Sequence, residues 1–442
     1  MRRLYTLLLA VALPVATLLV FWRGLRDRHY WRGWGERFGR GETPGGAARR
    51  VWIHAVSVGE VQAAAPLVAA LRAAWPDLPL TMTSATPAGR ERARQVCGAG
   101  IDVRYGPYDL PWCLRGTLRR LRPALLLIAE TELWPNLLAE CARAGVPVMF
   151  VSARLSERST LRLRRMKSLL QPALARGVSV LAQSEADASR FATLGVPAAR
   201  IQVGGNLKFD REPAAAARLQ GSALRRKYAA ARPMWVAGST HDGEEQAALE
   251  AHRRLRAAHP TALLVLAPRH RPRFGAVAAL LARSDLSWMR RSGAGDGGPG
   301  STAAGLASPG TQCATIAVLL LDTLGELEDC YAAADVAFVG GSLVPVGGHN
   351  LLEPALLGVA TLSGPATGNA PEVARLLLTG GGLRIVHDAA ELGAALLELL
   401  GDAAARTRLG AAGRATVIAH RGALAYAMAR IREQLAQPPA TP

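Results

Sequence analysis

The sequence predicts an α/β protein of two Rossmann-like domains facing a cleft, preceded by an N-terminal membrane-anchoring helix. Three observations carry that prediction. From residue 51 onward, short β-favouring apolar runs alternate with segments of helical periodicity, the pattern of a parallel sheet covered on both faces. The alternation pauses once, at the strandless connection "FDREPAAAARLQGSALRRKYAAARP" (209–233), and then restarts over a stretch of similar length. The chain also opens on "LYTLLLAVALPVATLLVFW" (4–22), a run without charge and close to the ~20 residues that cross a bilayer.

The opening run comes first. Arg2 and Arg3 precede it, while Arg23, Arg26, Arg28, Arg32, Arg37 and Arg40 follow. The heavier basic flank is expected on the cytoplasmic side. "FWRGLRDRHY" contains no small-x-small cleavage site, which argues against a removed signal peptide. Trp31, Trp34 and Phe38 then recur at i, i+3, i+7 among arginines, as in an interfacial helix on anionic lipid or a helix packed on the body of the protein. Residues 1–45 are therefore read as anchor and interfacial segment.

The remaining chain is long and apolar enough to bury a large core, with 442 residues of which 50% are hydrophobic. Its five cysteines lie far apart without zinc-ligand spacing, pointing to a reducing compartment and no structural metal. The net charge of +19 comes almost wholly from arginine, since Lys167, Lys208 and Lys227 are the only lysines. A basic balance suits nucleic acid, an anionic membrane surface or a phosphorylated substrate. No RNA-binding or zinc-finger signature accompanies it, so nucleic acid is not the expected partner.

The first strand set is predicted at 51–55, 80–83, 125–128, 146–151, 178–182 and 201–203, and the second at 234–237, 263–267, 316–321, 336–339, 360–362 and 383–386. This places one domain at 46–215 and another at 216–425. Residues 290–312, rich in Gly and Ser, read as a flexible insertion in the second, and 426–442 as the end of a helix and a tail.

Ligands of open α/β sheets sit beyond the carboxyl ends of the strands, so those residues matter most. After the first strand, Ser57-Val-Gly-Glu60 is a capping-box pattern, and Pro66 would fall in the third turn of the helix it caps. Either the helix kinks there, or it begins later and leaves Glu60 on a loop, free to accept a proton. "LLLIAETELWPN" ends a strand on Glu130 and Glu132, the latter also placed to begin a helix. "GGNLKFD" puts Lys208 at another strand end. In the second domain, "GSTHDGEE" sets His241 at a helix start, suited to an anion or to capping, and "APRHRPRF" puts Pro268, Arg269 and His270 after a strand. "DTLGEL" turns at Leu324, Gly325 and Glu326. In "VGGSLVPVGGHNLLEPA", glycine pairs flank a loop before a helix start at Asn350, Leu351, Leu352 and Glu353, a place for a phosphate and ribose hydroxyls. Neither a Walker A sequence nor Gly-x-Gly-x-x-Gly occurs, which argues against kinase, ATPase and NAD chemistry.

Taken together, "IHAVSVGE", "AETELWPN", "GNLKFD", "AGSTHDGEE", "APRHRPRF", "DTLGEL" and "FVGGSLVPVGGHNLLEPA" resemble, in order, the 3-deoxy-D-manno-octulosonic acid (Kdo) transferases of lipopolysaccharide biosynthesis. The resemblance implies a GT-B glycosyltransferase without metal or cofactor. It would move Kdo from CMP-Kdo, with inversion, to a lipid A precursor (lipid IVA) at the cytoplasmic face of the bacterial inner membrane, held there by a single-pass or monotopic anchor. It further implies Glu60 as general base and Glu130 and Lys208 as stabilisers of the transition state. Pro268 and Arg269, Leu324 to Glu326, and Asn350 to Glu353 would bind CMP. Many relatives carry Met where this chain has Leu324, a change that a backbone contact survives. Two rivals are a sugar-nucleotide 2-epimerase, which needs no anchor, and a non-catalytic basic membrane protein, which gives no reason for acids at strand ends.

Overall fold

Strands buried on both faces read as unbroken apolar runs, and those runs pair here into two all-parallel sheets of seven strands. The computed structural model describes residues 1–26, 28–43, 49–98, 100–213, 216–293 and 315–436, so most of the predicted insertion lies outside the described residues. The chain divides into two compact units, Met1–Arg211 with His420–Pro442, and Glu212–Ala419.

In the first unit the strands are β1 (Arg50–His54), β2 (Leu80–Ser84), β3 (Asp102–Tyr105), β4 (Pro123–Ala129), β5 (Val148–Ala153), β6 (Val178–Ala182) and β7 (Ile201–Val203). Their order is β3-β2-β1-β4-β5-β6-β7, so the winding reverses between β1 and β4. Successive residues of β1 and β4 serve opposite faces: Trp52, Leu126 and Ile128 pack into one core, and Val51, Ile53, Leu125 and Leu127 into the other. β3 is absent from the sequence prediction. It is an edge strand whose Asp102 and Arg104 are half-buried between buried Val103 and Tyr105, so no apolar run marks it.

The last helix belongs to this unit rather than to the second. Ala423, Ala427 and Ile431 of Ala423–Ala436 join the core that contains Val51 and Leu127. The Asp210 carboxylate accepts the amides of Gly422 (2.8 Å) and Leu424 (2.9 Å) at its start. The predicted boundary at 425 therefore moves to Ala419/His420. The apolar face of an amphipathic helix looks the same in sequence whichever sheet it covers.

At the other end, Arg2–Arg26 is one helix, and its Arg2–Leu25 span is long and apolar enough to cross a membrane. Its first turns are tied to the unit by Tyr5 Oη donating to Asp109 (2.9 Å) and Thr6 Oγ1 to Asn136 Oδ1 (3.1 Å). The aromatic stripe after it does not form a continuous helix. Gly33 takes φ +71°, which separates a 3₁₀ turn (Arg28–Trp31) from a single helical turn (Trp34–Arg37). Trp31 stacks back on Phe21, and Phe38 packs edge-on against Tyr108 of the body.

The second unit contains β8 (Met234–Thr240), β9 (Leu263–Pro268), β10 (Trp288–Arg290), β11 (Val318–Leu320), β12 (Val336–Val339), β13 (Ala360–Ser363) and β14 (Arg384–Ile385), ordered β10-β11-β9-β8-β12-β13-β14. Its winding reverses between β8 and β12. The unpredicted strand is again at an edge, the three-residue β10. Gly238 in β8 has no substitute, since a Cβ there would meet the buried Tyr331 hydroxyl at 2.0 Å.

Candidate functional site

Ser57 is the N-cap of Val58–Ala74, a helix that starts at once and continues through Pro66, so Glu60 is not on a loop. The capping box is formed. Ser57 Oγ accepts the Glu60 amide (3.3 Å), while the Glu60 carboxylate accepts the Val56 amide (2.8 Å) and the Ser57 hydroxyl (3.0 Å). The cap does not spend the carboxylate. Burial pushes its pKa up to about 7 despite the Val56 and Ser57 hydrogen bonds, and the negative charges of Glu132 and Glu130 add to the rise. A half-buried carboxylate titrating near neutrality can take a proton from a hydroxyl and release it again.

Glu130 directly follows β4 at φ +56°, a region that costs of order 1–3 kcal/mol for a residue other than glycine and collects at functional sites. Its carboxylate is buried and meets Lys208 Nζ at 2.7 Å and Arg154 Nε at 3.6 Å. Glu132 is turned elsewhere, accepting Trp134 Nε1 at 2.6 Å, and burial raises its pKa, offset by the Trp134 bond and reinforced by Glu130. Thus Glu60, Glu130 and Lys208 all lie at the carboxyl ends of one sheet, and Glu130 and Lys208 are in contact.

Several residues in this arrangement escaped the sequence reading. Ser152, within β5, takes φ +53° where the ladder shifts register. Its carbonyl and hydroxyl accept Gln183 Nε2 (2.9 and 3.1 Å), and its hydroxyl also accepts the Leu207 amide (3.3 Å). Asn206 donates to Gln183 Oε1 (3.1 Å) and accepts the Lys208 amide (3.0 Å). This buried network fixes the turn that carries Lys208 toward Glu130. In sequence, Ser152, Gln183 and Asn206 are polar residues at or just past the ends of apolar runs, and Gly204-Gly205 beside Asn206 was the visible signal.

Next to the acids, Trp134 faces His54 edge-on at 4.7 Å and also borders a cavity of 180 Å³. Its other wall is one stripe of the N-terminal helix, Leu9, Ala12, Leu13 and Ala16. An apolar slot therefore runs from the membrane-length helix to the residue that holds Glu132.

In the second unit, Pro268 closes β9 and is buried, while Arg269 is exposed and donates its amide to the Thr240 carbonyl (3.0 Å). Leu324 is exposed and Gly325 takes φ +93°. Glu326 pairs with Arg291 Nη2 at 2.7 Å and accepts the Thr323 hydroxyl. Asn350 Oδ1 accepts the Leu352 amide (3.2 Å), and its Nδ2 donates to Glu353 (3.2 Å). Leu351 and Leu352 bury their side chains, which leaves only their backbone to a ligand.

One sequence expectation changes here. The glycine-turn amides read as a phosphate cradle already have an anion from the protein. The buried Glu244 carboxylate accepts the amides of Gly341 (2.6 Å), Ser342 (2.9 Å) and Leu343 (2.9 Å), together with that of His241 (2.9 Å). Glu244 is thus a strut under the loop, and a ligand must use the loop's outer surface.

Comparison with known proteins agrees across the chain. Residues 32–211 match the family model described as 3-deoxy-D-manno-octulosonic-acid transferase (kdotransferase). The 3-deoxy-D-manno-octulosonic acid transferase of Haemophilus influenzae is 36% identical over 425 residues, covering 96% of both chains. That of Bordetella pertussis is 38% identical over 436 residues, again covering 96% of both. Among solved structures, a UDP-N-acetylglucosamine 2-epimerase aligns over 89% of this chain and 99% of its own with TM-score 0.57 and 14% identity. The Neisseria meningitidis UDP-GlcNAc 2-epimerase bound to UDP-GlcNAc aligns over 87% and 99% with TM-score 0.55 and 13% identity. At those identities the likeness is one of fold, two-domain and GT-B-like.

Proposed function

The chain belongs to the 3-deoxy-D-manno-octulosonic acid (Kdo) transferase family and is a glycosyltransferase, and on that premise we propose that it moves Kdo from CMP-Kdo to a hydroxyl of a lipid A precursor, with inversion, at the cytoplasmic face of the inner membrane. The observation that carries the reading is Glu60, a carboxylate oriented by a helix cap and pushed up to about 7. In this reading Glu60 takes the proton of the acceptor hydroxyl as its oxygen bonds to the anomeric carbon. Such a base contributes about 10²–10⁴-fold. The bond from that carbon to the phosphate oxygen breaks, and its electron pair leaves with CMP.

Lys208, held by Glu130, offers its remaining N–H bonds to the carboxylate of Kdo or to the developing negative charge. Pro268 and Arg269, the turn at Leu324, Gly325 and Glu326, and the segment Asn350, Leu351, Leu352 and Glu353 are the proposed CMP contacts. Arg269 faces the departing phosphate. The apolar helix 2–25 is the proposed membrane anchor, and the slot beside Trp134 supports an acylated acceptor.

The test is to incubate membranes containing the protein with CMP-Kdo and lipid IVA. Release of CMP together with a mass gain of one or more Kdo units on the lipid is expected, and absence of both sinks the reading. The anomeric configuration of the product, read by NMR, tests inversion separately.

A further inference from the structure

His241 and His349 meet Nε2 to Nε2 at 2.8 Å, with ring planes 7° apart. His241 follows β8, and His349 follows the Gly347-Gly348 turn, so both sit at the carboxyl-end side of the second sheet. The contact is built. At Gly341, which takes φ +69°, a Cβ would meet His349 Nε2 at 2.9 Å, and the amides of Gly341 and His241 are both held by buried Glu244. His270, at the end of β9, faces His241 edge-on at 5.3 Å. Among the described residues no three His, Cys, Asp or Glu side chains are arranged to hold a metal ion.

Two imidazoles joined in this way must share a single N–H between their Nε2 atoms. One further proton can be added without breaking the contact, at Nδ1 of the donor ring. The product is an imidazolium whose Nε2–H still points at its neighbour, a charge-assisted hydrogen bond. A second added proton would place two N–H groups against each other. The pair therefore switches between neutral and +1.

We propose that His241 and His349 form an anion-binding pair that takes up one proton from solvent when the acidic group of the nucleotide donor binds beside Arg269. The proposal rests on the donor-site reading above and adds to it two residues and a protonation step. In the free protein the His349 imidazole is neutral. Burial, then the charge of Arg269, then the neighbouring imidazoles push His349 down to about 4. Arg269 and His270 act on His349, and Arg269 and Arg273 on the neighbouring His270 imidazole. The other charged groups adjoining the pair along the chain are Asp242 and Glu244 after His241 and Glu353 after His349. Asp242 is engaged with Arg273 (2.9 Å), and Glu244 with four amides. An arriving anion offsets the repulsion from Arg269 and makes the +1 state the favoured one.

Titration calorimetry of the full-length protein in buffers of different ionisation enthalpy reads the proton directly. At pH 6.5, CMP, cytidine and free Kdo would each be titrated into wild type, His349→Gln and His241→Gln. Uptake approaching one proton with CMP, absent with cytidine and lost in both variants, identifies the phosphate as the anion. The same pattern with Kdo but not CMP identifies the sugar carboxylate. Tenfold or greater loss of affinity for that anion in His349→Gln, shrinking as pH rises to 8.5, is also expected. If CMP binds with equal proton uptake in wild type and variants, the pair is overturned while the donor site stands. If CMP, cytidine and Kdo all fail to bind wild type, the donor-site reading fails and the pair fails with it.

Discussion

Glu60 serves both a helix cap and, in the proposed mechanism, proton removal, and single substitutions separate the two. Glu60→Gln keeps a hydrogen-bonding side chain at the cap but cannot take a proton. Its kcat is expected to fall about 10²–10⁴-fold, measured as CMP release with saturating donor. In wild type, kcat/KM should rise with pH through an apparent pKa near 7, because only the ionised carboxylate acts, and this limb should vanish in the variant. Stability follows the opposite sign. A carboxyl group raised in the folded state contributes stability that is complete below its unfolded pKa and is lost as pH climbs through about 7. Relative to wild type, Glu60→Gln should therefore be more stable at pH 8 than at pH 5 in urea titrations. Lys208 gives a second contrast. Lys208→Arg preserves charge but replaces a compact ammonium, seated 2.7 Å from Glu130, with a planar fork. Activity is expected to drop at least tenfold, while a charge-only role would leave it intact.

Among the elements, caps dominate the local energetics that can be tested. Asp210→Ala removes the acceptor for the amides of Gly422 and Leu424, so the last helix should lose about 1 kcal/mol. Cleavage near residue 420 in limited proteolysis should quicken, and an unchanged cleavage pattern would refute that assignment. The central strands were legible because burial on both faces leaves an apolar run, as in "LLLIA" of β4. β3 was not, because an edge strand is buried on one side and alternates with polar residues, and β10 was not, because three residues are too few to leave a run. Pro66 misled for a related reason. Proline removes one helical N–H, and seventeen residues of packed helix carrying Val61, Leu67, Val68 and Leu71 into the core outweigh that loss. The acids at strand ends were visible from position alone, whereas their partners were not. Glu244 reads in sequence as part of a helix start, and only the fold brings the loop after β12 onto it. Ser152, Gln183 and Asn206 likewise come from three separate strand ends.

For the whole molecule, the apolar helix sets location in the proposed reading. Deleting residues 1–26 should shift the protein from the membrane pellet to the supernatant. The basic surface, +19 overall, should leave residual binding to anionic vesicles that high salt removes. Turnover of lipid IVA should fall more than CMP binding does. The route of the chain also has a consequence for biogenesis. The first unit is discontinuous: Ala423, Ala427 and Ile431 fill its core, yet the whole of Glu212–Ala419 is synthesised before them. On the ribosome the amino-terminal sheet must wait, an apolar furrow open, until the insert has been translated and the closing helix emerges. The insert alone has every piece it needs. A chain ending at residue 419 and released from the ribosome should thus carry a protease-resistant carboxyl-terminal half and a vulnerable amino-terminal one, the reverse of the usual vectorial order.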